Sequence, residues 1–382
     1  MSSLTKRNYG VDLLRIVATL MICMLHTLGR GGILSNAEFM SVNYEIAWFL
    51  ETACLCAVNC YGLISGYVGG KSKYRYSSYV TLWLNVFIVM LFFTVYYAIT
   101  MPETVTWTDW VKLFFPASTR QFWYFSSYTV LFLFMPVLNI AVQKLSKKQL
   151  GAMLIAILIF FTVLNTAFYN PDFEDAIWQA KNEPFGLLDG YSGLWLIVLY
   201  LIGAYFGKYG LPKKITAVKG ILIYFGSVII AWAVRYLIDK FADPNVNRAG
   251  YFYLASYLSP FMLTAAFGLL CAFVKLPISG GFAKVIAFVA PCTFAIYLIQ
   301  CQPLVWVNFM NELVKDYANV SPFKLIGIVF GVAVCIFLVG LILDKPREII
   351  FRKTKLSKNL SAFEEKHFGD IWKQNIDKTS QL

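Results

Sequence analysis

The sequence predicts an all-α, polytopic membrane protein: a bundle of about ten transmembrane helices with both termini in the cytoplasm. Hydrophobic residues make up 59% of the chain, charged residues only 14%, and the mean hydropathy is +0.63. That composition is too apolar for an ordinary soluble domain. The apolar segments are long enough to cross a bilayer as helices, whereas a membrane barrel would show alternating strands of about ten residues.

The spans follow one another through most of the chain. Windows of about 20 residues place them at 9–28, 45–68, 78–100, 122–142, 150–168, 192–207, 220–239, 251–274, 285–306 and 323–343. Most of the 33 Lys and Arg residues lie in alternate connections, on the same side as the N-terminus. This asymmetry predicts that the N-terminal side is cytoplasmic.

Residues 1–343 are therefore predicted to form the membrane domain, with no cleavable signal, and residues 344–382 a basic cytoplasmic tail. The tail is amphipathic, so its apolar residues are expected to lie on anionic membrane lipids. The acidic, aromatic loop at 169–191 is the longest external connection. It either caps an outward-facing groove or is an ordinary polar loop with interfacial aromatic residues.

The first span, residues 8–30, carries a polar stripe. Helical periodicity places on one face Asp12, Arg15, Thr19, Cys23, His26 and Arg30. Because an ionisable group in a bilayer costs at least ~2.5–3.5 kcal/mol, the stripe is expected to face the bundle interior and a site. Arg15 and His26 would lie about 16 Å apart. The alternative is an interfacial pair of Asp12 with Arg15 and a structural histidine.

Acidic groups of the second span lie at a depth similar to that of His26. Glu45 and Glu51 can orient its imidazole, or they face an outer aqueous vestibule. In the seventh span, Arg235 and Asp239 stand four residues apart and are expected to pair within the helix.

Further candidate residues flank other spans. Lys71, Lys73 and Arg75 follow the second span, where they can hold phosphates or simply obey the positive-inside rule. Before and within the fourth span, Arg120 with Trp123 and Tyr124 indicates a substrate surface or an aromatic belt. The ninth span adds Tyr297 and Gln300.

Two classes of function are disfavoured. The net charge of +12 follows the membrane topology, and nothing resembles a nucleic-acid-binding module. The eight cysteines fall in apolar stretches, where cysteine behaves as a small hydrophobic residue, so no metal site is expected.

Together these motifs resemble the acyltransferase-3 family of bacterial membrane proteins, which O-acylate cell-surface carbohydrates and related acceptors. Arg15 and His26 match its Arg-x10-His pattern, and Asp12 its Asp-x-x-Arg start. The resemblance extends over about residues 8–343, and its other elements are Ser65–Gly66–Tyr67, Trp123–Tyr124 to Asn139, and Tyr297–Leu298–Ile299.

The resemblance implies transfer of an acyl group, most commonly acetyl, from cytoplasmic acyl-CoA to a hydroxyl of a cell-surface glycan or lipid-linked saccharide across the bacterial cytoplasmic membrane. His26 would act as general base or carry the acyl group, and Arg15 would contact a phosphate or thioester oxygen. The loop cations Lys71, Lys73 and Arg75 would neutralise the CoA phosphates. The candidate acceptor-side residues are Asp12, Glu45, Glu51, Arg120, Trp123, Tyr124, Tyr297 and Gln300. The resemblance is compatible with a homodimer and with a partner protein.

Two positions depart from the family pattern. The chain has Lys71, Lys73 and Arg75 where the family often has Arg-x-x-Arg, and it has Gln300 where a histidine commonly follows the Tyr-Leu element. Glutamine cannot exchange a proton, so an acid–base role is lost there. A secondary transporter of a small polar solute is the alternative, since an inward polar stripe in a ten-span bundle also fits one.

Overall fold

The computed structural model describes residues 7–70, 74–167, 185–241 and 254–369. Over these residues the chain is helical, with short irregular connections. The helices are α1 Tyr9–Leu28, α2 Ile33–Asn36, α3 Val42–Leu55, α4 Ala57–Gly69, α5 Tyr76–Thr100, α6 Trp107–Lys112, α7 Trp123–Lys144, α8 Lys147–Leu158, α9 Asn165–Ala167, α10 Gly193–Tyr209, α11 Ala217–Phe241, α12 Pro260–Val274, α13 Gly280–Val289, α14 Thr293–Cys301, α15 Pro303–Asn308, α16 Pro322–Lys353 and α17 Leu356–Phe368.

The predicted membrane-protein fold is confirmed. Among the described residues, eight helical stretches are long and apolar enough to cross a membrane, and two shorter apolar helices, α10 and α12, take the sixth and eighth places. These ten stretches follow the predicted spans in order. The last span predicted, 323–343, lies inside α16, which continues to Lys353.

The predicted start of the eighth span is wrong. Residues 254–259 are irregular, and α12 begins only at Pro260, because Ser259 caps the helix and proline favours its first turn. Irregular backbone at membrane depth is tolerated where the protein buries it. Here Asn59 donates to the carbonyl oxygen of Tyr257 at 2.9 Å, and Trp195 donates to Asn59 at 3.0 Å.

The ninth span is likewise interrupted by proline. Its helix α13 is followed by a 3-10 turn at Ala290–Cys292, then by α14, and Pro303 opens the separate helix α15. Proline cannot donate a helical hydrogen bond and restricts the conformation of the residue before it, so one helix ends and another begins near each of these prolines. This break places the end of α14 beside α1.

Helix α4 lies at the centre of the bundle, in contact with α1, α10 and α12. It crosses α10 at very short range, because both helices carry glycine at the crossing. A Cβ atom on Gly66 would overlap the carbonyl oxygen of Tyr200, and one on Gly203 would overlap that of Leu63. Small residues allow such backbone contact, which drives helix association in a bilayer, where lipid is as apolar as the helix.

A buried ionic cluster joins α3 to α11. The Arg235 side chain is fully buried between the rings of Tyr44 and Trp48, with its guanidinium carbon 4.8 and 4.7 Å from their centroids. It pairs with Asp239, as predicted, and with Glu45 at 3.5 Å. The hypothesis that Glu45 orients His26 is therefore wrong, because the guanidinium attracts that carboxylate towards α11.

The tail contains the helix α17, which docks on the start of α5. Glu364 accepts the backbone N–H groups of Tyr76 and Ser77 at 2.8 and 2.9 Å. Partial burial opposes ionisation, but the hydrogen bonds from Ser77 and Tyr76 hold the pKa of Glu364 below its ordinary value. The expectation that the tail lies on lipid stays a prediction, and Trp372 is outside the described residues.

The crossing of α4 and α10 yields a stability prediction. We expect Gly66→Ala to lower the midpoint of thermal unfolding in detergent, because its Cβ would force the backbones apart at a cost of about 1–3 kcal/mol. The matched control is Gly327→Ala in α16, which meets no atom within 4 Å and should leave the midpoint unchanged or higher. Equal midpoints for both variants would contradict the close packing of α4 on α10.

Candidate active site

A cavity of about 600 Å³ opens between α1, α3, α4, α7 and α14, at the end of the bundle that the charge asymmetry predicts to be outer. It gathers residues from distant parts of the sequence. The sequence-predicted candidates that line it are His26, Glu51, Arg120, Trp123, Tyr124 and Tyr297. The polar stripe of the first span therefore reaches a site at its outer end.

The imidazole of His26 is held by an amide. Its Nδ1 lies 3.0 Å from Oε1 of Gln300, and Nε2 of Gln300 donates to the sulfur of Cys23 at 3.4 Å. Because the amide oxygen of Gln300 faces the ring, Nδ1 of His26 carries the proton and donates it. The lone pair then belongs to Nε2 of His26, the nitrogen that can accept a proton.

Two neighbours fix the plane of the His26 ring. Trp306 meets it edge to face, with ring centroids 4.9 Å apart at 84°. The sulfur of Cys301 lies 3.8 Å from Nδ1 and 3.9 Å from Nε2. A sulfur equally distant from both nitrogens is in line with neither lone pair, so Cys301 and His26 do not form an activated thiol–imidazole pair.

Glu51 lines the cavity but does not orient His26, whose Nδ1 is bonded to Gln300 instead. The corresponding hypothesis for Glu51 is therefore wrong. Neither carboxylate oxygen of Glu51 forms a hydrogen bond or ion pair with the described residues, and its Oε2 is buried.

Asp12 and Arg15 lie at the opposite end of α1, away from the cavity. The Asp12 carboxylate pairs with Arg15 at 2.6 Å and with Arg7 at 2.6 Å. The Arg15 side chain nevertheless remains 30% exposed. The backbone carbonyl oxygen of Arg15 accepts a hydrogen bond from the hydroxyl of Tyr61 at 3.0 Å. Tyr61 also lines the cavity, so this phenol lies between Arg15 and the cavity.

Aromatic rings form one wall of the cavity. Trp123 stacks on Tyr257, with centroids 6.2 Å apart at 21°, and also contacts Tyr191 at 4.6 Å. Tyr124 meets Tyr297 edge to face at 6.2 Å, and the Tyr297 hydroxyl is buried without a hydrogen-bond partner among the described residues.

Two arginines stand at the rim. Arg120 adopts a left-handed φ of 53° in the tight turn that precedes α7, a conformation uncommon outside glycine. Arg30 donates to the carbonyl oxygen of Trp306 at 3.2 Å and lies 5.5 Å above its ring. Within the described ranges, neither guanidinium forms an ion pair.

The predicted cofactor residues are only partly visible. Lys71 and Lys73 lie outside the described residues. Arg75 is exposed and occupies the N-cap position of α5 without a side-chain capping hydrogen bond, next to the N–H groups that donate to Glu364. No group of three or more potential metal ligands occurs in the described part of the chain.

Some cavity residues were not site candidates in the sequence analysis, among them Tyr257, Cys301 and Trp306. Tyr257 lies in an irregular connection, and the other two flank the break between α14 and α15, so tertiary packing and not local periodicity brings them to α1. Tyr191 ends the loop 169–191, one predicted role of which was to cap a groove, but residues 168–184 lie outside the described residues. Arg30 did carry a signal, since it continues the polar face of the first span.

The chain was compared with protein families, with curated proteins and with solved structures. The family model of the acyltransferase-3 domain, described as an acyltransferase domain, matches residues 8–343. No curated protein and no solved structure gives a significant match. The matched range contains every helix that lines the cavity. The chain therefore belongs to the acyltransferase-3 family and is a multi-pass membrane acyltransferase.

Proposed function

We propose that the protein transfers an acyl group, acetyl in the first instance, from cytoplasmic acyl-CoA to a hydroxyl of an extracytoplasmic carbohydrate, in the cytoplasmic membrane of a bacterium. The observation that carries the proposal is His26, set in a cavity at the predicted outer end with Nδ1 bonded to Gln300. The family match favours this reading over a solute carrier, which needs no imidazole base.

The reaction requires one proton transfer and one acyl transfer. Nε2 of His26 takes the proton of the acceptor hydroxyl as its oxygen attacks the thioester carbonyl carbon. The new carbon–oxygen bond forms, the carbon–sulfur bond breaks, and the imidazolium returns the proton to the departing CoA sulfur. Gln300 contributes by keeping the other proton on Nδ1 throughout.

The attacked carbonyl oxygen gains negative charge before the carbon–sulfur bond breaks. The Tyr297 hydroxyl, buried and without a partner in the described structure, is a donor for that oxygen. A donor that is already in place needs no reorganisation at the moment of reaction.

The donor must approach from the other end of the bundle. Arg15 is permanently charged and partly exposed there, and suits a phosphate or thioester oxygen, while Lys71, Lys73 and Arg75 suit the remaining CoA phosphates. Tyr61 lies between Arg15 and the cavity, so the acyl group would pass this phenol on its way to His26.

We expect His26→Ala to reduce CoA release about 10²- to 10⁴-fold, because the variant lacks the general base. The measurement uses inside-out vesicles with labelled acetyl-CoA at matched expression, and follows free CoA and the label captured by cell-envelope material. His367→Ala is the control, since this second histidine lies in α17, far from the cavity lining. Undiminished CoA release by His26→Ala, or no release by the wild type with acetyl-, propionyl- or succinyl-CoA, would refute the proposal.

Gln300 is expected to act as a positioning residue. Gln300→Leu should reduce turnover about tenfold or more, because Nδ1 of His26 loses its acceptor and the imidazole is free to change tautomer. Gln300→Glu keeps an acceptor oxygen at that place and should restore much of the turnover. If both variants lose activity to the same degree at unchanged thermal stability, the hydrogen bond to His26 is not what matters.

A further inference from the structure

Glu51 is an intramembrane carboxylate that the chemistry above does not use. It is the tenth residue of α3, and this helix packs against α1 and α11. Its Oε2 is buried, neither oxygen has a hydrogen-bond partner in the described structure, and the side chain lines the cavity. A carboxylate left in this state within a bundle is costly, and such residues mark functional sites.

The surroundings of Glu51 define what can satisfy it. Glu45, on the same helix, forms an ion pair with Arg235. Glu51 forms no ion pair with Arg30 or Arg120, although these two arginines line the same cavity as Glu51. The two rim arginines disfavour a cationic ligand. A buried carboxyl group that has no paired cation is best satisfied by a neutral polar ligand, and hydroxyl groups can both donate hydrogen bonds to it and accept them from it.

The aromatic wall gives the ligand its shape. Trp123, Tyr191 and Tyr257 contact one another, with Tyr191 and Tyr257 centroids 5.0 Å apart, and all three line the cavity. Glu51 lines the same cavity as these three rings. A flat, partly apolar ring with hydroxyls on its edge fits a wall of this kind beside a carboxylate.

We propose that Glu51 binds the acceptor, accepting hydrogen bonds from two adjacent hydroxyl groups of a pyranose ring that stacks on Trp123, Tyr191 and Tyr257. The inference rests on the proposed function for its place in the reaction and deepens it by assigning the acceptor half of the cavity. His26 deprotonates one hydroxyl, whereas Glu51 selects which hydroxyl of the ring reaches Nε2. Glu51 is thus a residue of acceptor specificity and not a second base.

The test measures saccharide binding and donor chemistry separately. Phenyl β-D-glucopyranoside and its 2-, 3-, 4- and 6-deoxy analogues are titrated into protein in nanodiscs, with the fluorescence of the cavity tryptophans Trp123 and Trp306 as the signal. Glu51→Gln should weaken binding of the parent glycoside about 10- to 100-fold, as expected for loss of hydrogen bonds to the carboxyl group. Removing either of two adjacent hydroxyls should weaken wild-type binding but change Glu51→Gln little.

Glu45→Gln is the matched control, because it changes the same residue type on the same helix outside the cavity, and it should bind as the wild type does. The proposal fails if Glu51→Gln binds the glycoside as tightly as the wild type does, or if the wild type binds no glycoside. Glu51-dependent binding in a protein that releases no CoA would overturn the acyl transfer and leave the saccharide site standing.

Discussion

The structure depends on how polar groups inside a helical bundle find partners where water does not supply them. In α1 every polar group of the inward face has a hydrogen-bond or ion-pair partner: Asp12 has Arg7 and Arg15, Thr19 has Tyr61, Cys23 and His26 have Gln300, and Arg30 has the carbonyl oxygen of Trp306. Burying such a group without a partner would cost free energy, and a hydrogen bond or ion pair offsets that cost. The geometry of the site follows from these pairings.

The nature of each partner then decides what the group can do. Arg235 meets two carboxylates and two aromatic rings, which holds it as a structural cation. His26 meets a neutral amide, which fixes a tautomer without neutralising or adding charge. Glu51 has no hydrogen-bond or ion-pair partner in the described structure, so its carboxyl group is available to a ligand.

Backbone irregularity near the cavity has the same physical origin. Residues 254–259 and the turn at Ala290–Cys292 interrupt helices at membrane depth, where free backbone groups are tolerated only inside protein. Asn59 satisfies the carbonyl oxygen of Tyr257, and this brings an aromatic residue from a connection to the cavity wall. A regular ten-helix bundle would have placed that ring differently.

The sequence by itself determined the fold class, the order of the spans and the polar stripe of α1, because hydrophobic length and helical period are local properties of the chain. The family resemblance depended on motif residues, above all Arg15 and His26. The sequence also identified His26 and the residues at the start of α7. Only the tertiary structure decided the partners. It placed Glu45 beside Arg235 and left Glu51 without a partner among the described residues, although both glutamates lie on α3. It also put Gln300 against His26 across 274 positions of sequence. Such choices depend on which helices touch and on where proline ends each of them, and neither is encoded in a window of one span.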